Sequence, residues 1–156
     1  MRFTTLTLAA VFAAGIAQAD AVAPGDVKFN EGAVEQSLTG MPGNAEEGFK
    51  IYASKQLGNC VACHEISSVD AQFPGDVGPM LDGAGERWTE AQLRGILVNS
   101  KMTFEGTVMP SYYRVDGFTR PGKVYTGKAA DDSFGPLLSA QQIEDVVAYL
   151  STLKDS

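Results

Sequence analysis

The chain contains two cysteines and one histidine, and all three lie within the five residues Cys60-Val61-Ala62-Cys63-His64. Cys-x-x-Cys-His is the spacing that attaches a c-type haem. Two thiols at this separation can bond the two vinyl groups along one porphyrin edge, and the next imidazole can then reach the iron. The motif therefore predicts one covalent haem c, bound through Cys60 and Cys63, with His64 as an axial ligand of the iron.

Three other chemistries use the same residue types. A thiol–disulfide redox pair is expected within a thioredoxin-like β-α-β pattern and does not require the histidine. A structural zinc site needs four ligands, and the chain has three Cys and His residues in total. A disulfide between Cys60 and Cys63 would close a very short, strained loop. The haem explains the motif best, and a haem-free thiol–disulfide oxidoreductase is an alternative that a colourless purified protein would support.

Residues 1–19 have the composition of an export signal. Arg2 precedes an uncharged apolar run, and Ala17-Gln18-Ala19 has the small-x-small form of a cleavage site. We expect the mature chain to begin at Asp20, in the periplasm of a Gram-negative bacterium, an oxidising compartment that suits haem attachment. The run is too short and too rich in Ala and Thr for a good membrane span, and an uncleaved anchor is the alternative. No other stretch is apolar enough to cross a membrane, so we expect a soluble mature protein.

Cleavage would remove Arg2 and no acidic residue. The mature chain then has 11 basic and 19 acidic side chains and a net charge of −8, which argues against nucleic-acid binding. Its 137 residues fit one domain, residues 44–156, preceded by an extension, residues 20–43. The extension is rich in Gly and Pro and poor in large apolar residues. We therefore expect an extended arm with at most one short helical turn, either mobile or laid on a partner.

Three capping signals predict helices. Each is an Asn, Thr or Ser followed three residues later by Glu or Gln, at the start of an apolar pattern with helical spacing. The second and third helices are predicted to end near Asn99 and Lys154. Gly48 lies within the apolar face of the first helix, where it would allow another helix to approach closely. No strand pattern exceeds a few residues, so the predicted class is all-α, with caps at Asn44 with Glu47, Thr89 with Gln92, and Ser139 with Gln142.

The predicted helices are separated by loops rich in Gly and Pro, residues 67–85 and 110–138. Gly78-Pro79 lies in the first of them. One interpretation of Pro79 is a rigid loop turn. The other is that a backbone carbonyl beside Pro79 accepts the second ring N–H of His64, which would fix the tautomer and raise the basicity of the ligand.

The sixth iron ligand must come from a short list, because no second histidine is present. A lysine, an open position or one of four methionines would complete the coordination. Met109 is favoured, because Pro110 follows it within a loop and can hold the side chain toward the ring, and Met102 is next. A thioether ligand raises the reduction potential, which suits electron transfer better than oxygen binding. The methionine candidates are Met41, Met80, Met102 and Met109.

The order of these features resembles a class I cytochrome c throughout residues 44–155. In that family the first and last helices cross near the haem through a glycine and an aromatic contact, which Gly48 to Tyr52 and Tyr149 would supply here. More narrowly, the chain is similar to the SoxX family, the mono-haem subunits of the SoxAX cytochromes of bacterial sulfur oxidation. The segment Met-Pro-Ser-Tyr-Tyr-Arg-Val narrows the resemblance most. The stretches that carry it are 58–64, 108–115 and 138–150.

The resemblance implies a division of labour between two subunits. The partner, SoxA, carries its own haem or haems, one with a cysteine ligand, and joins thiosulfate oxidatively to a cysteine of a carrier protein. The present chain would accept the electrons and pass them to a small soluble acceptor. It is expected to be the electron-transfer subunit of a heterodimeric L-cysteine S-thiosulfotransferase, with no catalytic residue of its own. A free, diffusible periplasmic cytochrome c is the alternative.

Charge is distributed unevenly along the chain. Residues 101–128 hold five basic and two acidic side chains, whereas the rest of the mature chain holds 6 basic and 17 acidic side chains. A basic loop beside the haem edge of an acidic protein could steer and dock a partner, with Arg114 and Arg120 as its test positions. A solvated loop with scattered charge is the alternative.

Overall fold

A computed structural model describes residues 20–71, 73–119, 129 and 133–155. The predicted signal peptide, residues 1–19, lies outside these described residues. Within them, β-structure is limited to one isolated bridge between Asn30 and Ala33, so the predicted all-α class is confirmed. The helices are α1 Ala45–Ala53, α2 Ala84–Arg87, α3 Glu90–Asn99 and α4 Ala140–Ser151, with 3-10 helices at Pro24–Asp26, Cys60–Ala62 and Ser100–Met102.

Capping boxes set the starts of α3 and α4. The side chain of Thr89 accepts from the backbone N–H of Gln92, and the Gln92 side chain accepts from the N–H of Thr89. Ser139 and Gln142 make the same reciprocal pair. Each box satisfies backbone donors that a helix start leaves without partners. Both predicted starts are confirmed.

The cap of α1 is only partly as predicted. Asn44 does accept from the N–H groups of Glu46 and Glu47. The predicted second bond, from the Asn44 N–H to the Glu47 carboxylate, is wrong, because this N–H donates to Asp145 on α4 at 2.9 Å. Glu47 pairs with Lys50 instead, 2.6 Å away. The Asn44 N–H, which the local pattern assigns to Glu47, is therefore bonded to a residue distant in sequence.

The last helix ends at Ser151, three residues before the predicted end at Lys154. The Thr152 hydroxyl donates back to the preceding turn at 2.6 Å, a side-chain bond that competes with continued helix. The chain then leaves toward α2, where the Gly85 N–H donates to the Leu153 carbonyl at 3.0 Å. α2 is a single turn that no pattern in the sequence predicts.

The first and last helices cross at a glycine. A Cβ on Gly48 would overlap the carbonyl oxygen of Asp145 and lie 2.7 Å from the Cβ of Tyr149. The Tyr149 ring packs beside Phe49 and Tyr52, with ring centroids 5.5 and 5.9 Å apart. The prediction that Gly48 permits close approach of another helix is confirmed.

The N-terminal segment, residues 20–43, is packed into the fold. Val34 and Leu38 are 2 % and 1 % exposed and belong to the main hydrophobic core with residues of α3 and α4. The expectation of an arm that cannot bury itself is therefore wrong. The single short helical turn expected there is present at Pro24–Asp26. Other apolar side chains of the segment also pack against this core, and polar contacts satisfy its backbone. These side chains are Val22, Val27 and Phe29.

A buried ion pair supplies those polar contacts. The side chains of Arg94 on α3 and Glu144 on α4 are 7 % and 5 % exposed, with Nε to Oε1 at 2.9 Å and Nη2 to Oε2 at 3.0 Å. Arg94 also donates to the carbonyl of Val34 at 2.9 Å, and Glu144 accepts from the N–H of Leu38 at 2.7 Å. The pair thus joins two helices and the N-terminal segment.

We expect Gly48→Ala to destabilise the protein by about 1–3 kcal/mol, the usual cost of inserting a methyl group into a packed contact. The obstacle is a backbone carbonyl, which cannot rotate away. Urea unfolding of the haem-loaded protein measures the change in free energy. Gly25→Ala is the matched control, because a Cβ there meets no atom within 4 Å. Equal unfolding midpoints for the two variants would contradict the crossing contact.

Candidate haem site

The chain between α1 and the cysteine motif folds back onto α1. The N–H groups of Gly58 and Asn59 donate to the carbonyls of Ile51 and Ser54, at 3.2 and 2.9 Å. Asn59 has a left-handed backbone, with φ of 50°, and a 3-10 turn begins at the next residue. α1 therefore fixes the position of Cys60 through a short reversed segment of backbone.

The two cysteines are free thiols. Burial raises the pKa of Cys60 to about 11. A thiol that attacks disulfides needs a lowered pKa, so that the thiolate forms at neutral pH. Cys60 has the opposite property, which does not suit the thiol–disulfide alternative and is compatible with a neutral thioether.

His64 is held on three sides. Its Nδ1 lies 2.7 Å from the carbonyl oxygen of Pro79, and since a carbonyl can only accept, Nδ1 carries the proton in this bond. Nε2 is then left with a lone pair for a metal. A Cβ on Gly78 would overlap the ring and lie 2.6 Å from Nδ1, so the imidazole rests against bare backbone. Tyr52 donates to the backbone carbonyl of His64 at 2.8 Å, and burial raises the pKa of Tyr52 to about 12.

The loop that carries Pro79 is fastened to the motif by backbone bonds. Their lengths are between 2.8 and 3.0 Å, and they recur at nearly regular spacing along both segments. Farther along, Arg87 donates to the carbonyls of Asp82 and Met80, at 2.5 and 3.2 Å. The imidazole of His64 is therefore oriented by a loop that is fixed at both ends. The three bonds run from Gly75 to Val61, from Gly78 to Cys63, and from Leu81 to Glu65.

Met109 differs from the other methionine candidates in its surroundings. It is half-buried and packs against the main core, whereas Met41, Met80 and Met102 are between 46 % and 51 % exposed. Its carbonyl accepts from the Ser100 hydroxyl at 2.8 Å and from the Lys101 ammonium. The backbone of Met109 is thus tied to the end of α3, and its side chain is the most buried of the four candidates.

Tyr112 connects the Met109 loop to the cysteine motif. Its buried hydroxyl donates to the carbonyl of Gly58, two residues before Cys60, at 2.8 Å. Burial raises the pKa of Tyr112, so the hydroxyl remains a donor. The sequence analysis did not assign this role. The signal was present, since a tyrosine three residues after a candidate ligand has a polar group to place near the same site.

These residues fit a covalently attached haem. Two thiols and an imidazole whose tautomer is fixed by a carbonyl are donors that c-type cytochromes use, and Met109 is the candidate thioether. The glycine beside the His64 ring leaves room that any side chain would fill. No helix of the described residues is long and apolar enough to span a membrane.

A cytochrome c family model matches residues 45–154. This chain therefore belongs to the cytochrome c family. Together with the helical fold, the match confirms the class I cytochrome c prediction and the single covalent haem c.

Among solved structures, the chain is similar to a chain of the crystal structure of SoxXA from P. pantotrophus, with 62% identity and a TM-score of 0.82. The match covers 86% of this chain and 99% of that one. The resemblance to SoxX is confirmed by this match. Curated proteins provided no match.

Gly78→Ala should weaken the iron–His64 bond about 10- to 100-fold in affinity, the usual effect of losing a partner that orients a ligand. The added methyl group displaces the imidazole from Pro79, while both cysteines keep their haem. A high-spin fraction in the ferric optical and paramagnetic resonance spectra measures the effect.

Gly135→Ala is the control for this variant, because its Cβ meets nothing within 4 Å. A fully low-spin Gly78→Ala protein with the wild-type reduction potential would show that the contact between Gly78 and the His64 ring is not needed.

Proposed function

We propose that this chain is the electron-transfer subunit of a two-subunit cytochrome, assembled with a SoxA-like haem subunit. The observation that carries the proposal is the 62% identity to a chain from a SoxXA crystal structure, over 99% of that chain. A match of this extent includes the surfaces of the domain as well as its core. It favours a subunit of a complex over a free, diffusible cytochrome c.

In the proposed reaction, the SoxA-like subunit joins thiosulfate to a cysteine of a carrier protein. A sulfur–sulfur bond forms between the cysteine thiolate and the terminal sulfur of thiosulfate, and two electrons are released. This chain accepts them one at a time and passes them to a small soluble acceptor. It contributes no nucleophile or base to the bond-forming step, because Cys60, Cys63 and His64 are committed to the haem.

The proposed haem contacts are those of the sequence analysis. Cys60 and Cys63 would hold the porphyrin, and His64 and Met109 would bind the iron. Pro79 acts through its carbonyl, which keeps the His64 Nδ1 proton in place. When bound, the haem supplies one-electron chemistry, and these side chains set its potential through ligand type and hydrogen bonding.

We also propose export to the periplasm with cleavage after Ala19. The SoxXA resemblance and the covalent haem both favour an oxidising compartment. Close to the proposed mature start at Asp20, the N–H of Val22 donates to the carbonyl of Leu38 at 2.7 Å.

The proposed docking patch is narrower than residues 101–128. The ammonium of Lys101 already has a partner within the chain, because it donates to the Met109 carbonyl. Arg114 is half-buried. Its Nε lies 3.2 Å from Oδ1 of Asp116, and its Cζ lies 5.3 Å from the centroid of the Phe118 ring. Arg120 and the two lysines after it lie outside the described residues. Among the described residues, Arg114 is therefore the best position for testing whether the basic patch docks a partner.

Met109→Ala should abolish the weak charge-transfer absorption band that marks iron–methionine ligation in the ferric protein. The covalent haem should remain, because neither cysteine is changed, and intact mass measures it. Met102→Ala is the matched control and should keep the band, since that side chain is half exposed. Loss of the band in Met102→Ala alone would reassign the ligand.

Co-expression with a SoxA-like subunit tests the proposed function directly. Wild type should co-purify as a one-to-one complex, and Arg114→Glu should associate several-fold more slowly at low salt, a deficit that shrinks as salt rises. Lys154→Glu, an exposed charge reversal outside the patch, should behave as wild type. Failure of wild type to form any complex would favour the free cytochrome, and unchanged association of Arg114→Glu would refute the patch alone.

A further inference from the structure

The N-terminal segment contacts α3 through a tight turn at residues 30–33. Asn30 and Ala33 exchange two backbone hydrogen bonds, each 2.9 Å long. The carbonyl of Gly32 points at Gly95, where a Cβ would overlap this oxygen and lie 3.0 Å from the Cα of Ala33. α3 can seat the turn only because residue 95 has no side chain.

The same turn covers the 3-10 helix that follows α3. A Cβ on Gly32 would lie 2.8 Å from the hydroxyl oxygen of Thr103 and 3.2 Å from the carbonyl of Met102. The Thr103 hydroxyl is buried and has no hydrogen-bond partner among the described residues. Packing alone therefore holds this contact, and it is closed to water.

The covered 3-10 helix is the element that holds Met109. Ser100 and Lys101 belong to it, and both donate to the carbonyl of Met109. A displacement of the turn at residues 30–33 would free this helix to move, and Met109 would move with it.

A second contact reaches the chain just after Met109. The hydroxyl of Tyr113, a buried residue, donates to the carbonyl of Val22 at 2.8 Å. The N–H of Val22 is in turn bonded to Leu38 at 2.7 Å. Both flanks of Met109 are therefore attached to the same segment.

The segment itself is anchored independently of Met109. Val34 donates to Ala91 at 2.9 Å and accepts from Arg94 at 2.9 Å, and Leu38 donates to Glu144 at 2.7 Å. These anchors lie on α3 and α4. A segment fixed to two helices can restrain a loop that is less well fixed.

We propose that residues 22–38 form a strap that keeps Met109 at its place on the iron, by restraining the chain on both sides of that ligand. The inference rests on Met109 being the sixth ligand. Met109 belongs to no helix, so it can leave the iron by a local opening without global unfolding. The strap makes this opening less favourable.

Exogenous imidazole measures the opening, because it competes with Met109 for the same iron position. Its apparent affinity rises in proportion to the fraction of molecules in which Met109 is displaced. The measurement uses the full-length, exported, haem-loaded ferric protein, with optical detection of imidazole binding. Covalent haem content and urea unfolding are recorded for each variant.

Tyr113→Phe should tighten imidazole binding about 2- to 10-fold, the loss expected from one hydrogen bond. Gly95→Ala should tighten it at least as much, because the methyl group pushes the turn off α3. Both should retain their covalent haem. Gly25→Ala, in the same segment but with open space around its Cβ, should match wild type.

Imidazole affinities equal to wild type in both Tyr113→Phe and Gly95→Ala would overturn the strap, even if urea unfolded them earlier, since the contacts would then serve global stability alone. A wild-type protein without the iron–methionine band would overturn the ligand assignment, and the strap with it. The two failures are distinguishable, because the strap alone is overturned only when the wild-type protein shows the iron–methionine band.

Discussion

The buried pair between Arg94 and Glu144 is the interaction on which the packing of the N-terminal segment against α3 and α4 depends. Moving two charges out of water is costly, and the cost is offset only where the remaining donors and acceptors are also paired. Here the Val34 carbonyl and the Leu38 N–H supply those partners. The charges therefore bind backbone as well as each other, and a segment with few apolar residues is held in place. Loss of either charge would leave the other buried, so the segment and both helices are stabilised together.

The two sides of the haem site are built in different ways. On the His64 side, the loop from Gly75 to Leu81 is bonded to the motif by backbone groups, which few side-chain changes can disturb. On the Met109 side, hydroxyl and ammonium groups bind the Met109 carbonyl, and backbone bonds hold Tyr112 and Tyr113 further along. The histidine is thus fixed mainly by backbone bonds, whereas the position of the methionine depends on side chains as well as backbone.

The sequence predicts the features that depend on neighbouring residues. The caps at Thr89 and Ser139, the haem motif and the helix class all follow from patterns a few residues long. The errors concern long-range partners. The Asn44 N–H donates to Asp145 and not to Glu47, and the N-terminal segment is held by the charged pair of α3 and α4. Arg94 and Glu144 lie on largely apolar faces, and no local rule says that two such charges will meet. The identity of the haem was predictable because one motif encodes it, but the support around Met109 was not.

Tyr112 connects the Met109 loop to the turn that carries the cysteines. Its N–H donates to Leu97 on α3, its carbonyl accepts from Leu138, and its hydroxyl reaches Gly58 beside the cysteine motif. A ligand loop and an attachment turn that share one side chain move together rather than apart. An electron carrier gains from this, because a site that keeps its geometry in both oxidation states has little to rearrange when an electron arrives.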